Sequence, residues 1–521
     1  MPLARTYSVA LVGVEGHLIE VEADIGDGLP ATILVGLPDT ALREARDRVR
    51  AAILNSGQVW PKRKITIGLS PANLPKRGSG FDLAIAVALL AAADIVPLTA
   101  PKGMMFLAEL GLDGRLRPVP GVLPAVVAAS AGGMTTMVVA AQNRAEAELV
   151  PGVRVVAAES LVQVMDWLRG GPFPLVAVSP GPRSPDGRGP GGPGVASAAH
   201  ARKLDLAEVL GQAQARLATE ICAAGGHNLS LLGPPGAGKT MLAERLPTIL
   251  PDLEPPAALE VTSIHSVAGA LQPGTGLITR PPFCAPHHTA SKAAIVGGGS
   301  VFIRPGAASL AHRGVLFLDE APEFNRDVLD ALRQPLEAGE VVVARSGVFA
   351  RFPARFTLVL AANPCPCAKA AAGGAGCSCS PAARHRYLSR LSGPLLDRVD
   401  VKVRLEPVSR HDMLYDRKFA ETSEVVAKRV AVARMRSARR MEGTPWRLNA
   451  EIPGAELRRS FAPAPGALRP LERAVELQQV TARGVDKIIR VAWSLADLAD
   501  RPRPGKDEIH TAIGLWLGLT G

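Results

Sequence analysis

The chain has 521 residues, a formal net charge of +11 at neutral pH and only 4% aromatic residues. This length predicts two to four domains, and the excess of positive charge allows a polyanion such as nucleic acid as a partner. The longest purely apolar run, residues 83–93, is about half the ~20 residues that a membrane span requires, and the first residues lack the pattern of a signal peptide. We therefore expect a cytoplasmic protein with no membrane partner.

Residues 1–177 are predicted to form one mixed α/β domain. Strands at residues 6–12 and 17–25 surround a glycine-containing turn, and Asp39 is placed to cap a helix that runs to Asn55. Further strands and helices alternate after this pair, and no phosphate-binding loop occurs among them. The domain is therefore not predicted to bind a nucleotide in the manner of the region that follows.

Two segments of this domain, PANLPKRGSGFDLAIAVALL (residues 71–90) and ELGLDGRLRPVPGVLPAV (residues 109–126), resemble the C-terminal protease domain of Lon proteins. The resemblance implies a Lon-protease-like (ribosomal S5 domain 2-like) α/β fold. Gly80 takes the position of the catalytic serine, with Ser79 one residue away, and Leu123 takes the position of the lysine. Because a Ser–Lys dyad cannot form without the lysine, we expect no protease activity.

Residues 178–203 are rich in proline, glycine and serine, a composition that cannot build a packed core. This stretch predicts a linker. We place a second domain at residues 204–408 and a C-terminal helical region at residues 409–521.

A phosphate-binding loop is predicted between a short apolar strand and a helix. The apolar run at residues 229–232 is followed by GPPGAGKT, which matches the GxxxxGKT pattern in the required strand–loop–helix context. Its residues are Gly233, Pro234, Pro235, Gly236, Ala237, Gly238, Lys239 and Thr240. Lys239 is expected to reach the β- and γ-phosphates of ATP, and Thr240 to ligate Mg²⁺.

Polar residues at the ends of two further apolar runs are expected to complete this site. Asp319 ends the run at residues 315–318 and is suited to holding Mg²⁺, while Glu320 is suited to deprotonating the attacking water. Asn363 ends a third run and is expected to position the same water. Because strands of an open α/β sheet deliver ligands at their carboxyl ends, these residues should meet. The alternative roles are a helix cap for the Asp-Glu pair and a turn residue for Asn363.

Two groups of residues have side chains that bind metals. Four of the six cysteines form two CxC pairs, and two tight pairs on one short loop can supply four thiolates to a single Zn²⁺. These cysteines are Cys365, Cys367, Cys377 and Cys379. A redox-labile disulfide pair and cysteines without a ligand are the alternatives. His287 and His288 are adjacent, and polar contacts within their loop are favoured over a metal.

A hairpin between Glu320 and Asn363 carries two arginines that could contact a phosphate backbone. One helix over residues 325–337 is predicted to lead into it. Its predicted strands are residues 340–345 and 348–352, with Arg345 and Arg351 projecting from them. A hairpin that merely faces solvent explains the same pattern equally well.

Residues 384–442 hold most of the excess positive charge, with 15 lysines and arginines against 8 acidic residues. Residues 423–441 are predicted to form a basic amphipathic helix that carries Lys428, Arg429, Arg436, Arg439 and Arg440. A solvated helix face is the default interpretation of such a charge pattern.

Motifs spread over nearly the whole chain, in one order, resemble the magnesium-chelatase-like AAA+ ATPases of the ComM/YifB family. They include GPPGAGKT, FCAPHHTAS, LAHRGVLFLDE, LRQPLEAGEVVVARSG, FPARFTLVLAANPCPC, RYLSRLSGPLLDRVD and VTARGVDKIIRVAWSLADL. One residue departs from the family pattern, because Cys284 stands where an arginine is common. The resemblance implies a P-loop AAA+ α/β domain with a C-terminal helical lid, acting as a homo-hexamer.

The resemblance also implies residue roles and a biological activity. Arg398 matches the arginine finger that a neighbouring subunit inserts, Arg483 matches the sensor-2 arginine of the lid, and the hairpin matches one that tracks DNA in related rings. ComM-type proteins are DNA helicases in branch migration, which implies branched or single-stranded DNA as the partner, with ATP and Mg²⁺ as cofactors. A magnesium-chelatase ATPase subunit and a regulatory remodeller of a protein partner are the alternatives.

Overall fold

The computed structural model describes residues 3–36, 40–174, 204–272, 274–299, 303–345, 348–367, 377–408 and 420–519. Mixed α/β structure accounts for most of them, in agreement with the α/β prediction. The predicted domain boundaries near residues 177, 203 and 408 fall inside or at the edge of stretches outside this description, so they stay predictions.

The N-terminal region begins with a long antiparallel pair of strands and continues with alternating strands and helices. Its elements are β1 (Ala4–Val12), β2 (Glu15–Gly26), β3 (Ala31–Val35), α1 (Thr40–Asn55), β4 (Lys64–Ser70), α2 (Asp82–Ala92), β5 (Met104–Leu107), β6 (Glu109–Leu110), β7 (Leu116–Arg117), α3 (Val122–Ala131), β8 (Thr136–Ala140), α4 (Arg144–Ala147), β9 (Arg154–Ala158) and α5 (Leu161–Leu168).

The remaining elements form a second α/β region followed by helices. They are α6 (Ala213–Gly225), β10 (Leu229–Leu232), α7 (Lys239–Ile249), α8 (Pro255–Ala268), β11 (Phe283–Cys284), α9 (Lys292–Val296), α10 (Ala307–Leu310), β12 (Val315–Leu318), α11 (Arg326–Ala331), α12 (Arg333–Ala338), β13 (Glu340–Arg345), β14 (Val348–Pro353), β15 (Thr357–Ala362), α13 (Pro381–Leu388), α14 (Gly393–Leu396), β16 (Val401–Arg404), α15 (Ser423–Arg440), α16 (Gly454–Arg459), α17 (Arg469–Glu476), α18 (Ala482–Leu498) and α19 (Lys506–Leu517).

A mixed sheet of seven described strands organises the N-terminal region, in the order β3-β4-β2-β1-β5-β8-β9. Its centre is the antiparallel β1–β2 pair, while β5, β8 and β9 continue from β1 in parallel. Every residue of α2 is buried, which explains why its sequence is apolar on all sides. The one charged residue of α2, Asp82, forms a 2.8 Å ion pair with Arg48 of α1, which compensates in part for the burial of this carboxylate.

A parallel sheet of five described strands, ordered β11-β12-β15-β10-β16, organises the second region. All four residues of β12 and five of the six in β15 are buried, as expected for strands covered on both faces. Because every pairing in this sheet is parallel, the carboxyl ends of β10, β12 and β15 lie at the same edge. The three polar segments singled out in the sequence follow these three ends.

The hairpin has the predicted strands, but the helix before it is broken. Residues 325–337 were expected to form one helix, whereas α11 ends at Ala331 and α12 begins at Arg333. Pro335 explains the break, because its nitrogen has no hydrogen to donate to Ala331 and its ring crowds that carbonyl group.

The C-terminal helices pack against the parallel sheet through a buried histidine. His227 lies just before β10, is fully buried, and its Nε2 is 2.7 Å from Ser494 Oγ on α18. Burial lowers the pKa of His227 to about 4, with Lys487 and Arg490 acting in the same direction and Asp400 opposing them. The imidazole is therefore neutral in the folded chain at physiological pH.

This histidine predicts a loss of stability on mild acidification. An unfolded histidine binds a proton below pH ~6.5, so the stabilisation is complete above that value and is lost as the pH falls toward 4. Between pH 7 and pH 5, we expect the free energy of unfolding to fall by about 2 kcal/mol more in the wild type than in His227→Asn. Urea titrations of both proteins at the two pH values measure this difference. An equal fall in the free energy of unfolding of the two proteins would contradict the prediction.

The N-terminal region docks on α8 and on the base of the hairpin. The Gly121 N–H donates to Ser266 O on α8 at 3.1 Å, and the Ser266 hydroxyl donates to the buried Glu146 carboxylate. On the hairpin side, Gly13 has φ +68° and lies so close to the backbone of Arg351 that a Cβ would collide with its carbonyl oxygen. Two separate backbone contacts therefore join the regions.

Candidate nucleotide site

The phosphate loop connects β10 to α7 with two residues in left-handed conformations. Gly236 has φ +77° and Gly238 has φ +91°, values that other residues adopt only with strain. Gly233 fits tightly against the neighbouring strand, where a Cβ would lie 2.7 Å from Leu405 O. Because α7 begins at Lys239, the loop's N–H groups and the positive end of the helix dipole lie together, an arrangement suited to phosphate.

Lys239 is buried, and three oxygen atoms accept hydrogen bonds from its ammonium group. Nζ donates to Gly233 O at 2.6 Å, to Pro234 O at 2.9 Å and to Asn363 Oδ1 at 2.9 Å. Burial lowers the pKa of Lys239, while the carboxylates of Asp319 and Glu320 oppose that shift. The ends of β10 and β15 thus share one cation, as the sequence predicted for their meeting.

Thr240 and Asp319 are also in direct contact. The Thr240 hydroxyl donates to Asp319 Oδ2 at 2.9 Å, and the other carboxylate oxygen of Asp319 accepts from the N–H of Glu320 at 2.9 Å. Hydroxyl and carboxylate oxygens are the ligands that Mg²⁺ prefers, so the pair fits this ion.

Glu320 has an unusual backbone conformation and lies beside His288, for which the sequence predicts only polar contacts within its own loop. Its backbone is left-handed, with φ +49°, and its side chain is half exposed. Oε2 lies 3.4 Å from His288 Nδ1, while the neighbouring His287 ring stacks on His288 and hydrogen-bonds to Thr289. A non-glycine residue in this conformation at the end of a strand is frequent at functional sites. The clue in the sequence was the HH pair itself, which can approach an acidic residue as well as a metal.

Arg398 and Arg483 lie near enough for the charge of one to act on the other. Arg398 follows α14, forms an ion pair with Glu337 and donates to Pro394 O at 2.6 Å. Burial lowers the pKa of Arg398, and the positive charges of Arg483 and Arg333 lower it further. Within the described ranges, neither Arg398 nor Arg483 hydrogen-bonds to residues 233–240.

The hairpin presents one described arginine and an aromatic residue. Arg351 is 63% exposed and forms a cross-strand ion pair with Glu340 at 3.2 Å. Phe349, two residues earlier and on the same face, is 67% exposed. The Arg345 side chain lies outside the described part of the structure, so its predicted contact stays untested.

The basic helix α15 is not simply a solvated face. Arg429 forms ion pairs with Glu220 and Glu421, and Arg440 binds Asp497 and stacks 4.0 Å from the Trp493 ring centroid. These cations join α15 to the helices around it, so that much of its charge is already neutralised by protein carboxylates.

The predicted cysteine cluster comes together in space. The sulfur atoms of all four residues lie within 4.8 Å of one another, and none forms a disulfide. The backbone N–H of Cys379 is the main cause that lowers the pKa of Cys377 to about 6, and a hydrogen bond from Arg384 acts the same way.

The residues of the Lon-like alignment have separate partners. The Ser79 hydroxyl donates to the Glu109 carboxylate, whereas the buried Lys76 ammonium donates to Pro71 O. Ser79 also borders a cavity of about 340 Å³ between the two regions of the chain. In the described structure, therefore, the serine nearest to the expected nucleophile position has a carboxylate as its partner, not a lysine.

No described helix has the length and apolar character needed to cross a membrane. Three family models match the chain. They are the magnesium chelatase subunit ChlI (residues 205–413), the subunit ChlI of Mg-chelatase (residues 21–143) and the magnesium chelatase subunit ChlI C-terminal model (residues 420–515).

Full-length relatives agree with these models. An uncharacterized protein of Mycobacterium tuberculosis is 51% identical, covering 98% of both chains. The competence protein ComM of Haemophilus influenzae is 38% identical over 99% of this chain and 97% of its own length. The uncharacterized protein YifB of Escherichia coli is 40% identical over 96% and 94%. The chain thus belongs to the magnesium-chelatase-like ComM/YifB family of AAA+ ATPases.

Proposed function

We propose that this chain hydrolyses ATP at the edge of the parallel sheet and uses the energy to move DNA through a hexameric ring. One observation carries the ATPase assignment: residues from three strand ends and one helix are joined by hydrogen bonds. Lys239 bonds to Asn363, and Thr240 bonds to Asp319. Each of these side chains has the chemistry that its position in a phosphate site demands.

ATP and Mg²⁺ are the cofactors of this proposal. Thr240 and Asp319 would hold Mg²⁺, which, when bound, neutralises charge on the phosphate oxygens. Lys239 exchanges its contacts with the loop carbonyls for the β- and γ-phosphates, which offer stronger, charge-assisted hydrogen bonds.

Glu320 and Asn363 would act on the attacking water. The Glu320 carboxylate accepts a proton from the water as the water approaches the γ-phosphorus, a contribution of roughly 10²- to 10⁴-fold in rate. The amide of Asn363, fixed by Lys239 on one side, orients the same water. His288 limits the positions that the Glu320 side chain can take.

The remaining charge on the γ-phosphate would be stabilised by a neighbouring subunit. Arg398 and Arg483 reach no residue of the phosphate loop within the described ranges of one chain, which supports their action across a subunit boundary or after movement of the lid. A homo-hexamer with ATP sites between subunits supplies such a boundary.

DNA as the substrate of the motor is supported by the charge and by the hairpin. The net charge of +11 allows a polyanion, and Arg351 stands exposed beside the exposed Phe349 on one face of the hairpin. A cation and an aromatic ring side by side suit a phosphate and a base of a single strand. A relative of this chain is named a competence protein, so we propose branch migration in recombination or natural transformation, in the cytoplasm.

The test measures ATP turnover and strand exchange with a four-way DNA junction. We expect the junction to stimulate ATP hydrolysis, and we expect the wild type, but not Glu320→Gln, to migrate the branch in the presence of ATP and Mg²⁺. A matched linear duplex controls for nonspecific binding of a basic protein. If neither the junction nor the duplex changed the rate of ATP hydrolysis and no strand exchange occurred, the DNA assignment would be refuted and the ATPase assignment would stand.

Removing the hairpin cation should weaken DNA binding in a manner that depends on salt. For Arg351→Ala, we expect the affinity for single-stranded DNA to fall several-fold and the slope of log affinity against log salt to become shallower by about 1. Fluorescence anisotropy over a series of salt concentrations measures both quantities. Arg326→Ala removes an equally exposed arginine from α11 and serves as the control. An unchanged slope in Arg351→Ala would show that this residue contacts no phosphate.

Two other functions remain as candidates. The family models favour a magnesium-chelatase-type ATPase subunit, and the docked N-terminal region favours a remodeller of a protein partner. For the N-terminal region we propose a Lon-like fold without protease activity, because Ser79 is partnered by Glu109. If the wild type degraded casein and Ser79→Ala did not, that proposal would be refuted.

A further inference from the structure

The four cysteines surround a space of the size of one metal ion. The Sγ–Sγ distance is 3.2 Å from Cys365 to Cys367, 3.5 Å from Cys367 to Cys377 and 3.5 Å from Cys377 to Cys365. A tetrahedral zinc site with Zn–S bonds of about 2.3 Å has sulfur atoms about 3.8 Å apart. The observed distances are close to this edge length and well beyond the length of about 2.05 Å for a disulfide bond.

The surroundings of the cluster also suit thiolate ligands. Cys377 Sγ accepts a hydrogen bond from Arg384 at 3.4 Å, and the backbone N–H of Cys379 favours the thiolate form of Cys377 by lowering its pKa. Cys365 is buried, which shields one side of the cluster from water. Hydrogen bonds to the ligating atoms commonly orient metal ligands and stabilise their charge. Four sulfur ligands in a tetrahedron select zinc or iron, and a spacing this narrow leaves room for a single ion.

The cluster joins the two elements that hold the end of β15 in place. Cys365 is two residues beyond Asn363, while Cys379 immediately precedes Ser380, the N-cap of α13. Burial raises the pKa of Tyr387 in α13 to about 12, and the backbone N–H of Asn363 opposes that rise, so the two residues are neighbours. The cluster therefore connects the two ends of a bracket, one on β15 and one on α13, with Asn363 between them.

We infer that the four thiolates hold one tetrahedral Zn²⁺ and that this ion fixes Asn363 against α13. Asn363 is a positioning residue in this scheme, and the cysteines act on ATP hydrolysis only through it. The second half of the inference rests on the proposed ATPase function, whereas the first half concerns the metal alone. Loss of the ion should lower kcat roughly 10- to 100-fold and leave the KM for ATP nearly unchanged, because none of the four cysteines belongs to the phosphate loop.

The metal is tested on the intact full-length chain. We expect about one zinc per chain by elemental analysis, and we expect an organomercurial reagent to release it, as followed with a chromogenic zinc chelator. Cobalt-loaded protein should show the visible absorption of a tetrahedral thiolate site. Cys377→Ser/Cys379→Ser should lose the zinc, and Cys222→Ala, which removes a buried cysteine elsewhere, should keep it. A chain that contains no zinc, that contains iron instead, or that has the cysteines in disulfides would overturn the inference.

The positioning role is tested by hydrogen exchange and by a double-mutant comparison. Release of zinc by the mercurial should accelerate amide exchange at Asn363, whose N–H lies beside the Tyr387 phenol, whether or not the chain hydrolyses ATP. In turnover assays, the serine double variant should lower kcat in the wild-type background but add little to Asn363→Ala. Unchanged exchange, or additive losses in kcat, would overturn the link to Asn363. Zinc and exchange results as expected in a chain without ATPase activity would instead count against the proposed function.

Discussion

Glu320→Gln should retain ATP and lose the ability to hydrolyse it. The glutamine has the size of glutamate but cannot accept a proton, so we expect kcat to fall roughly 10²- to 10⁴-fold. Binding should persist because Lys239, Thr240 and Asp319 are unchanged. Single-turnover hydrolysis and equilibrium binding of a fluorescent ATP analogue measure the two effects separately.

A nearby glutamate supplies the control for this experiment. Glu323 lies three residues further on and pairs with Arg390 at 3.2 Å on the surface. Since exposed ion pairs contribute little, Glu323→Gln should keep turnover within about twofold of the wild type. Equal losses in Glu320→Gln and Glu323→Gln would mean that Glu320 is not the general base.

Arg398→Ala should abolish ATP hydrolysis at the site of the neighbouring subunit. An arginine finger contributes about 10³- to 10⁵-fold to phosphoryl transfer, so we expect a loss of at least about 10³-fold in kcat with ATP binding retained. Arg398→Ala also removes the ion pair with Glu337, so Glu337→Gln, which breaks the same pair and leaves the arginine, is the matched control.

Mixing two inactive variants distinguishes a finger supplied by a neighbour from one supplied by the same chain. In a mixed ring, an Arg398→Ala subunit contributes an intact Glu320, and an adjacent Glu320→Gln subunit contributes an intact Arg398. Sites formed between them are complete, so the mixture should regain a measurable part of the activity that each variant lacks. A mixture as inactive as its components would place Arg398 outside the neighbour's site, or would show that the ring does not form.

The sequence predicted those parts of the site that rest on local patterns. The phosphate loop, the strand ends at Asp319 and Asn363, and the cysteine pairs were recognisable because each combines a short motif with a strand or turn signal. The structure confirms that Lys239 meets Asn363 and that the cysteines meet one another, but it does not test their chemical roles.

Contacts between distant segments could not be predicted in the same way. His288 approaches Glu320 from a loop some thirty residues away, and nothing local distinguishes that loop from one that only makes polar contacts. The neutralisation of charge on α15 could not be predicted for the same reason, since Arg429 pairs with Glu220 on a helix some two hundred residues earlier in the chain. The break before α12 was a different error, because Pro335 was visible and its effect on Ala331 follows from local geometry.

The contact between Gly13 and the hairpin has a mechanical consequence. The backbones of Gly13 and Arg351 are so close that no side chain fits between them. The hairpin and the first strand pair of the N-terminal sheet are therefore expected to move together. A hairpin that advances along a polymer must either carry a seven-stranded sheet with it or slide past Gly13. If the chain works as the proposed motor, the length of each step is limited by whichever of these two displacements requires less work, and a bulkier residue at position 13 should alter the step length before it alters ATP hydrolysis.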